Sequence, residues 1–154
     1  MKILIVNVDS DEVENISRIF RQRRPDWQFT VANSGKQCLN MINSDAKPDL
    51  VIIGMELADM SGLDLIGLIR ADSDIPIIFI SHDKDVIVLV KAFDSGANDY
   101  IVTPFSEVVF IARSEALIRR RDWDIKAREG KLKEETKKHN KQSNIEASLI
   151  NTLI

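Results

Sequence analysis

Few side chains in this sequence have both the type and the spacing to do chemistry. The acids Asp9, Glu56 and Asp59 each stand a few residues beyond a short apolar run, as do the hydroxyls of Ser81 and Thr103 and the imidazole of His82. Asp9 and Glu56 could share a divalent ion if their loops met, because hard cations such as magnesium are held by carboxylate oxygens; solvated loop acids are the simpler reading. His82 reads as a surface or capping residue, since His139 lies far off in sequence and no cysteine cluster accompanies it. The single cysteine, Cys38, rules out an internal disulfide and suits a reducing cytoplasm. It falls in a helical pattern and reads as buried packing. No metal or other cofactor is expected.

The elements that must position these residues follow from composition and periodicity. The 154 residues suit one domain of ordinary size plus an appendage, and 44% hydrophobic content is enough for a core. No apolar run approaches the roughly 20 residues of a spanning helix. The start, Met1-Lys2-Ile3-Leu4-Ile5-Val6, lacks the features of a signal peptide, so a cytoplasmic protein without membrane partners is expected. The net charge of −3 is unevenly spread: residues 1–118 carry 11 basic and 18 acidic side chains, residues 119–154 carry 10 and 6.

Ile3–Val6, Trp27–Val31, Leu50–Ile53, Ile77–Ile80 and Tyr100–Val102 read as five short strands. Helical periodicity fills the gaps. Ser10 and Asp11 offer N-cap oxygens for a helix bearing Val13, Ile16, Ile19 and Phe20, which Pro25 ends. Further helices are expected over Lys36–Ile42, from near Gly62, over Val86–Phe93 with Gly96 as C-cap, and from near Ser106. Such alternation predicts a parallel α/β sheet covered on both faces, with its functional groove beyond the carboxyl ends of the strands. Those ends are Asn7-Val8, Gly54, Ser81 and Thr103.

Over residues 1–120 the chain resembles the receiver domain of two-component response regulators. The likeness rests on Lys2–Val6, Pro48–Ile53, Asp59-Met60-Ser61-Gly62-Leu63-Asp64-Leu65, Ile75–Ser81 and Gly96–Phe105, in that order and at those separations. The resemblance implies a flavodoxin-like, doubly wound sheet of five parallel strands, order 2-1-3-4-5, with five helices. It also implies a phosphorelay site: an acidic pair and an aspartate that hold magnesium, the aspartate taking a phosphoryl group that a Ser or Thr and a Lys then clasp.

Placed on this sequence, those roles fall on residues that cannot fill them. The former acidic pocket is Asn7, Val8 and Asp9; the phosphoacceptor position is Gly54; the phosphoryl-clasping positions are Ser81 and Thr103. Only Ser81 keeps its hydroxyl. Glycine offers no nucleophile, and without metal or lysine nothing balances the charge on a transferring phosphoryl group. Tyr100 matches the family's switch aromatic, partnered with Ser81. No catalytic residue is expected, and the chain is not expected to be an enzyme.

Residues 121–154 read as a helical connector or dimerisation tail. Ile118, Ile125, Leu132 and His139 recur every seven residues, but the intermediate positions Asp122 and Glu129 are polar, so the seam is narrow. The leading expectation is a phosphorylation-independent pseudo-receiver working by protein–protein contact or homodimerisation, through the face of helix 4, strand 5 and helix 5 or through the C-terminal helix. The alternatives are a non-catalytic regulatory segment of a larger sensor kinase or nucleotide cyclase, and a small-ligand sensor using the degenerate groove. Nucleic acid is not expected as a partner, because no helix-turn-helix follows residue 120 and residues 1–118 are acidic.

Overall fold

The computed structural model describes residues 1–153; Ile154, the last residue of the expected tail, lies outside the described residues. Strands β1 (Lys2–Val6), β2 (Gln28–Ala32), β3 (Leu50–Gly54), β4 (Ile77–Ser81) and β5 (Asp99–Val102) pair in parallel in the order β2-β1-β3-β4-β5. Helices α1 (Ser10–Arg23), α2 (Gly35–Ile42), α3 (Gly62–Asp72) and α4 (Val86–Ser95) connect them, and α5 (Glu107–Leu153) follows β5. The flavodoxin-like architecture and strand order expected from the sequence are therefore present.

Every residue of β3 and β4 is buried, which is why these strands read as unbroken apolar runs rather than alternating ones. The pleat still sorts their side chains. Leu4, Val6, Val51, Ile53, Ile77 and Phe79 meet Cys38, Leu65, Ile66, Ile69 and Ala92 on one face. Ile3, Ile5, Leu50, Ile52, Ile78 and Ile80 meet Ile16, Ile19, Phe20, Phe110 and Leu117 on the other. Phe20 joins the second layer together, its ring centroid 5.9 Å from Trp27, 6.2 Å from Phe29 and 5.6 Å from Phe110. Burial in the first layer pushes the Cys38 thiol up to about 12, so it stays protonated and serves as packing.

Local ends differ from the sequence reading in small, explicable ways. The N-cap of α1 is Asp9 rather than Ser10 or Asp11, both of which fall in or just inside the first turn. Strand β2 begins at Gln28 because Trp27 turns into the aromatic cluster instead of joining the ladder. Gly96 closes α4 as expected, with a φ of 115° in the left-handed region that favours glycine.

The chain divides into two compact units, Met1–Ile118 and Arg119–Ile154. The first holds the sheet and both core layers. In the second, the described residues are helical and nearly all exposed, including Trp123, Ile125 and Leu132.

Phe20→Ala is expected to lower the unfolding free energy by about 3–5 kcal/mol, since it empties the middle of an aromatic cluster that cannot readily collapse. Urea denaturation measures this; a loss below about 1 kcal/mol would mean the second layer is not packed as described.

Candidate functional site

The site forms where β1, β3 and β4 end side by side, because parallel pairing places Val6 beside Ile53 and Gly54 beside Ile80. Their ends open into a cleft of about 590 Å³ lined by Asn7, Val8, Asp9, Glu12, Met55, Glu56, Ile80, Ser81, His82 and Asp83. The fold thus brings together Asn7, Val8, Asp9 and Ser81 of the expected positions. Gly54 and Thr103 are not among the lining residues.

Asn7 explains why Gly54 is sealed off. Its side chain is buried and lies directly over the glycine, so a Cβ at residue 54 would stand 2.7–3.0 Å from the Asn7 amide atoms. The amide is engaged at both ends: Oδ1 accepts from the Asp9 backbone N–H at 3.0 Å, and Nδ2 donates to the Glu12 carboxylate. A carboxamide suits the spot because it offers a donor and an acceptor on one flat group. Gly62 packs against the same strand end from the other side: its N–H donates to Met55 at 2.7 Å, and a Cβ there would meet the Gly54 carbonyl oxygen at 2.0 Å.

The remaining acids are committed to backbone or exposed. Asp9 Oδ1 accepts from the backbone N–H groups of Asp11 and Glu12 at 3.0 and 3.2 Å, capping α1. Asp59 points to the other edge of the sheet, where its oxygens accept from Gly35 N–H at 2.7 Å and Lys36 N–H at 3.1 Å at the start of α2. These two bonds hold the Asp59 carboxyl below the usual carboxylate range. Val8 exposes its isopropyl group at the rim, and Glu56 is exposed beside it.

On the β4 side, two hydroxyls grip one residue. Ser81 Oγ accepts from the Asp83 N–H at 3.0 Å, and the Tyr100 hydroxyl donates to the Asp83 carbonyl at 2.6 Å. Tyr100 is buried with its ring 5.5 Å from Phe79. Thr103 meets Ser81 through the backbone, its N–H donating to the Ser81 carbonyl at 2.9 Å, and the Thr103–Pro104 peptide is cis.

Glu12 and Asp83 are the residues of the cleft's hydrogen-bond network that sequence reasoning missed. Asp83 acts through its backbone, which leaves no trace in residue type. Glu12 stands beside two other acids, Asp9 and Asp11, and only the helical phase set by the Asp9 cap turns it toward Asn7. Burial is the main cause of a raised Glu12 pKa; the Asn7 hydrogen bond opposes it, Asp9 adds to it, and His82 opposes it.

Magnesium does not fit this arrangement. The resemblance puts metal-holding acids at residues 8 and 54, and the side chains there are an isopropyl group and a hydrogen. The Asn7 oxygen is turned to the Asp9 N–H, and the Asp9 oxygen that caps α1 serves two backbone donors. Among the described residues no group of three or more His, Cys, Asp or Glu side chains is placed to share a metal ion.

Residues 3–115 match the family model of the response regulator receiver domain, and the chain belongs to that family. It is 34% identical over 121 residues to the DNA-binding response regulator MtrA of Mycolicibacterium paratuberculosis, covering 79% of this chain and 52% of that protein. It is also 34% identical over 120 residues to the transcriptional regulatory protein KdpE of Mycobacterium tuberculosis, covering 78% of this chain and 52% of the relative. The chain thus spans about half the length of these relatives. The receiver domain of the Francisella response regulator 1452 superposes with a TM-score of 0.71 at 26% identity, over 78% of this chain and 98% of that one. A two-component response regulator from Clostridium difficile shares the fold, with a TM-score of 0.71 at 24% identity over 79% of this chain and 98% of that one. This is a receiver domain of two-component signalling.

These relatives correct one expectation. Nucleic acid was set aside as a partner because residues 1–118 are acidic and no helix-turn-helix follows residue 120. Relatives named as DNA-binding and transcriptional regulators overturn that exclusion. The physical reason is that the acidity of residues 1–118 and the lack of one motif exclude only particular modes of contact, whereas contact with the DNA backbone needs no more than a basic surface. As to membranes, no helix among the described residues is long and apolar enough to cross one.

The raised Glu12 pKa has a sign that can be checked. A group whose folded pKa lies above its unfolded value adds stability below the unfolded value, 4.5 for a glutamate, and loses that contribution as pH rises through the folded value. Glu12→Gln keeps an acceptor for Asn7 and removes the titration. The variant is expected to melt above the parent at pH 7 and alongside it near pH 4; a parent that melts higher at pH 7 would contradict the burial account.

Proposed function

We propose that this chain is a pseudo-receiver: a receiver domain that signals without taking up a phosphoryl group and is not an enzyme. The observation that carries this reading is the Asn7 amide seated over Gly54, in the space a side chain at the phosphoacceptor position would need. In this reading Asn7, Val8 and Asp9 are the remnant of the acidic pocket, Ser81 and Thr103 stand at the former clasping positions, and Gly54 is the lost acceptor. Ser81 and Tyr100 are the remnant switch pair, tied to the Asp83 backbone instead of to a phosphoryl oxygen. Incubated with acetyl phosphate and magnesium, the protein should keep its unmodified intact mass. A stable adduct of one phosphoryl group would overturn the reading. Asn7→Asp, Val8→Asp, Gly54→Asp and Thr103→Lys together should create magnesium binding; Gly54→Asp without a change at residue 7 should not, because its Cβ and the Asn7 amide compete for the same space.

The mode of action we infer is contact between proteins in the cytoplasm. Residues 1–120 form the receiver in this reading and residues 121–154 a helical connector. Helix α4 supports it by exposing Val86, Ile87, Val90 and Phe93, a clustered set of large apolar side chains on one element. The tail supports self-association: Ile125 and Leu132 lie seven residues apart on one face and are 40% and 62% exposed. Likeness to DNA-binding and transcriptional regulators supports an output in the control of transcription. If the tail pairs two copies, Ile125→Asp with Leu132→Asp should halve the mass measured by light scattering. An unchanged mass, whether that of a monomer or a dimer, would remove the tail from that role.

A further inference from the structure

The charges of the second unit are sorted by helical phase, although they look mixed when read along the chain. At 100° per residue, Lys126, Lys131, Lys133, Lys137, Lys138 and Lys141 all fall within an arc of roughly 160°. Arg119 and Arg120 fall within the same arc. Five of the six acids of this segment, Asp122, Asp124, Glu129, Glu135 and Glu146, lie outside it; Glu134 is the exception. All six lysines are exposed, and none is ion-paired with another described residue. Trp123 stands on the same face, 62% exposed, with the Arg119 guanidinium 5.9 Å from its ring centroid.

From Arg119 to Lys141 this face runs for about 33 Å at 1.5 Å per residue. That is close to one turn of B-DNA, about 34–36 Å, whose backbone offers a phosphate charge every ~1.7 Å along the axis. A bilayer surface fits less well. The apolar side chains Ile125 and Leu132 lie on the opposite side, in company with Asp122, Glu129 and Glu135, and a membrane would have to take up those acids with them.

We propose that the lysine-rich face of residues 119–141 is a contact surface for the phosphate backbone of duplex DNA, without base specificity. It needs no helix-turn-helix, because counterion release by a row of cations supplies the affinity. The inference stands on the charges of the tail alone. It is independent of the phosphate-free reading of the cleft, since a chain that did take up a phosphoryl group would carry the same face.

The test is fluorescence anisotropy of a labelled 20-base-pair duplex with the full chain across a salt series. The expected result is binding at 50 mM salt with a log–log salt slope between about −3 and −6. Lys131→Gln with Lys138→Gln should weaken binding at least about tenfold and make the slope shallower by about 2. Arg121→Gln with Arg128→Gln removes the same charge from the other side of the helix and should change affinity less than about threefold; circular dichroism confirms that both variants keep the helix. Equal losses in the two pairs would mean that net charge alone is at work and would overturn the proposal. So would no binding at 50 mM salt, or binding to phosphatidylglycerol-containing vesicles in its place.

Discussion

The Asn7 side chain is the contact on which the cleft depends. It closes three demands at once: it covers the Cα of Gly54, accepts from the Asp9 N–H and donates to Glu12. With Asp9 held in this way, its own carboxylate is free to cap α1, and the cap sets the helical phase that turns Glu12 back to Asn7. The loop is thus a closed circuit of hydrogen bonds among residues 7, 9 and 12. An aspartate in place of Asn7 would face a carboxylate whose charge burial already disfavours, and would lack the N–H to satisfy it. Asparagine at residue 7 and glycine at residue 54 are therefore two halves of one packing solution.

The same economy governs the other wall of the cleft. Ser81 and Tyr100 come from adjacent strands, yet both bond the backbone of Asp83, one through its N–H and the other through its carbonyl. The loop after β4 is thus fastened to the sheet by two side-chain hydroxyls. With the Phe79–Tyr100 ring contact beneath it, this wall is built on the first core layer and takes its shape from packing. A ligand or partner can shift such an arrangement only by binding one form of it more tightly than another.

The second unit follows a different logic. Residues 119–153 gain almost nothing from burial, so their helix rests on local propensity and on whatever covers it, while Gly130 costs roughly 1 kcal/mol relative to alanine. What the segment does have is phase. Apolar Ile125 and Leu132 share a side with most of the acids, and the lysines take the other. A helix with two such unlike sides has room for two unlike partners, which a count of its net charge conceals.

The amino-acid sequence by itself determined the architecture: short β-branched runs such as Ile3–Val6 and Ile77–Ile80, separated by helical periodicity, admit few folds other than a covered parallel sheet. It also determined what is missing, because the absence of a carboxylate at Gly54 and of an amine at Thr103 is a matter of residue type. Tertiary structure decided what stands over Gly54. Which of Asp9, Asp11 and Glu12 caps a helix and which meets Asn7 depends on a turn of backbone that residue types leave open, and the assignment of Asp59 to α2 joins elements 24 residues apart. Linear order hid the basic face for the same reason: neighbours in the chain point a hundred degrees apart on a helix, and a surface belongs to residues three and four apart.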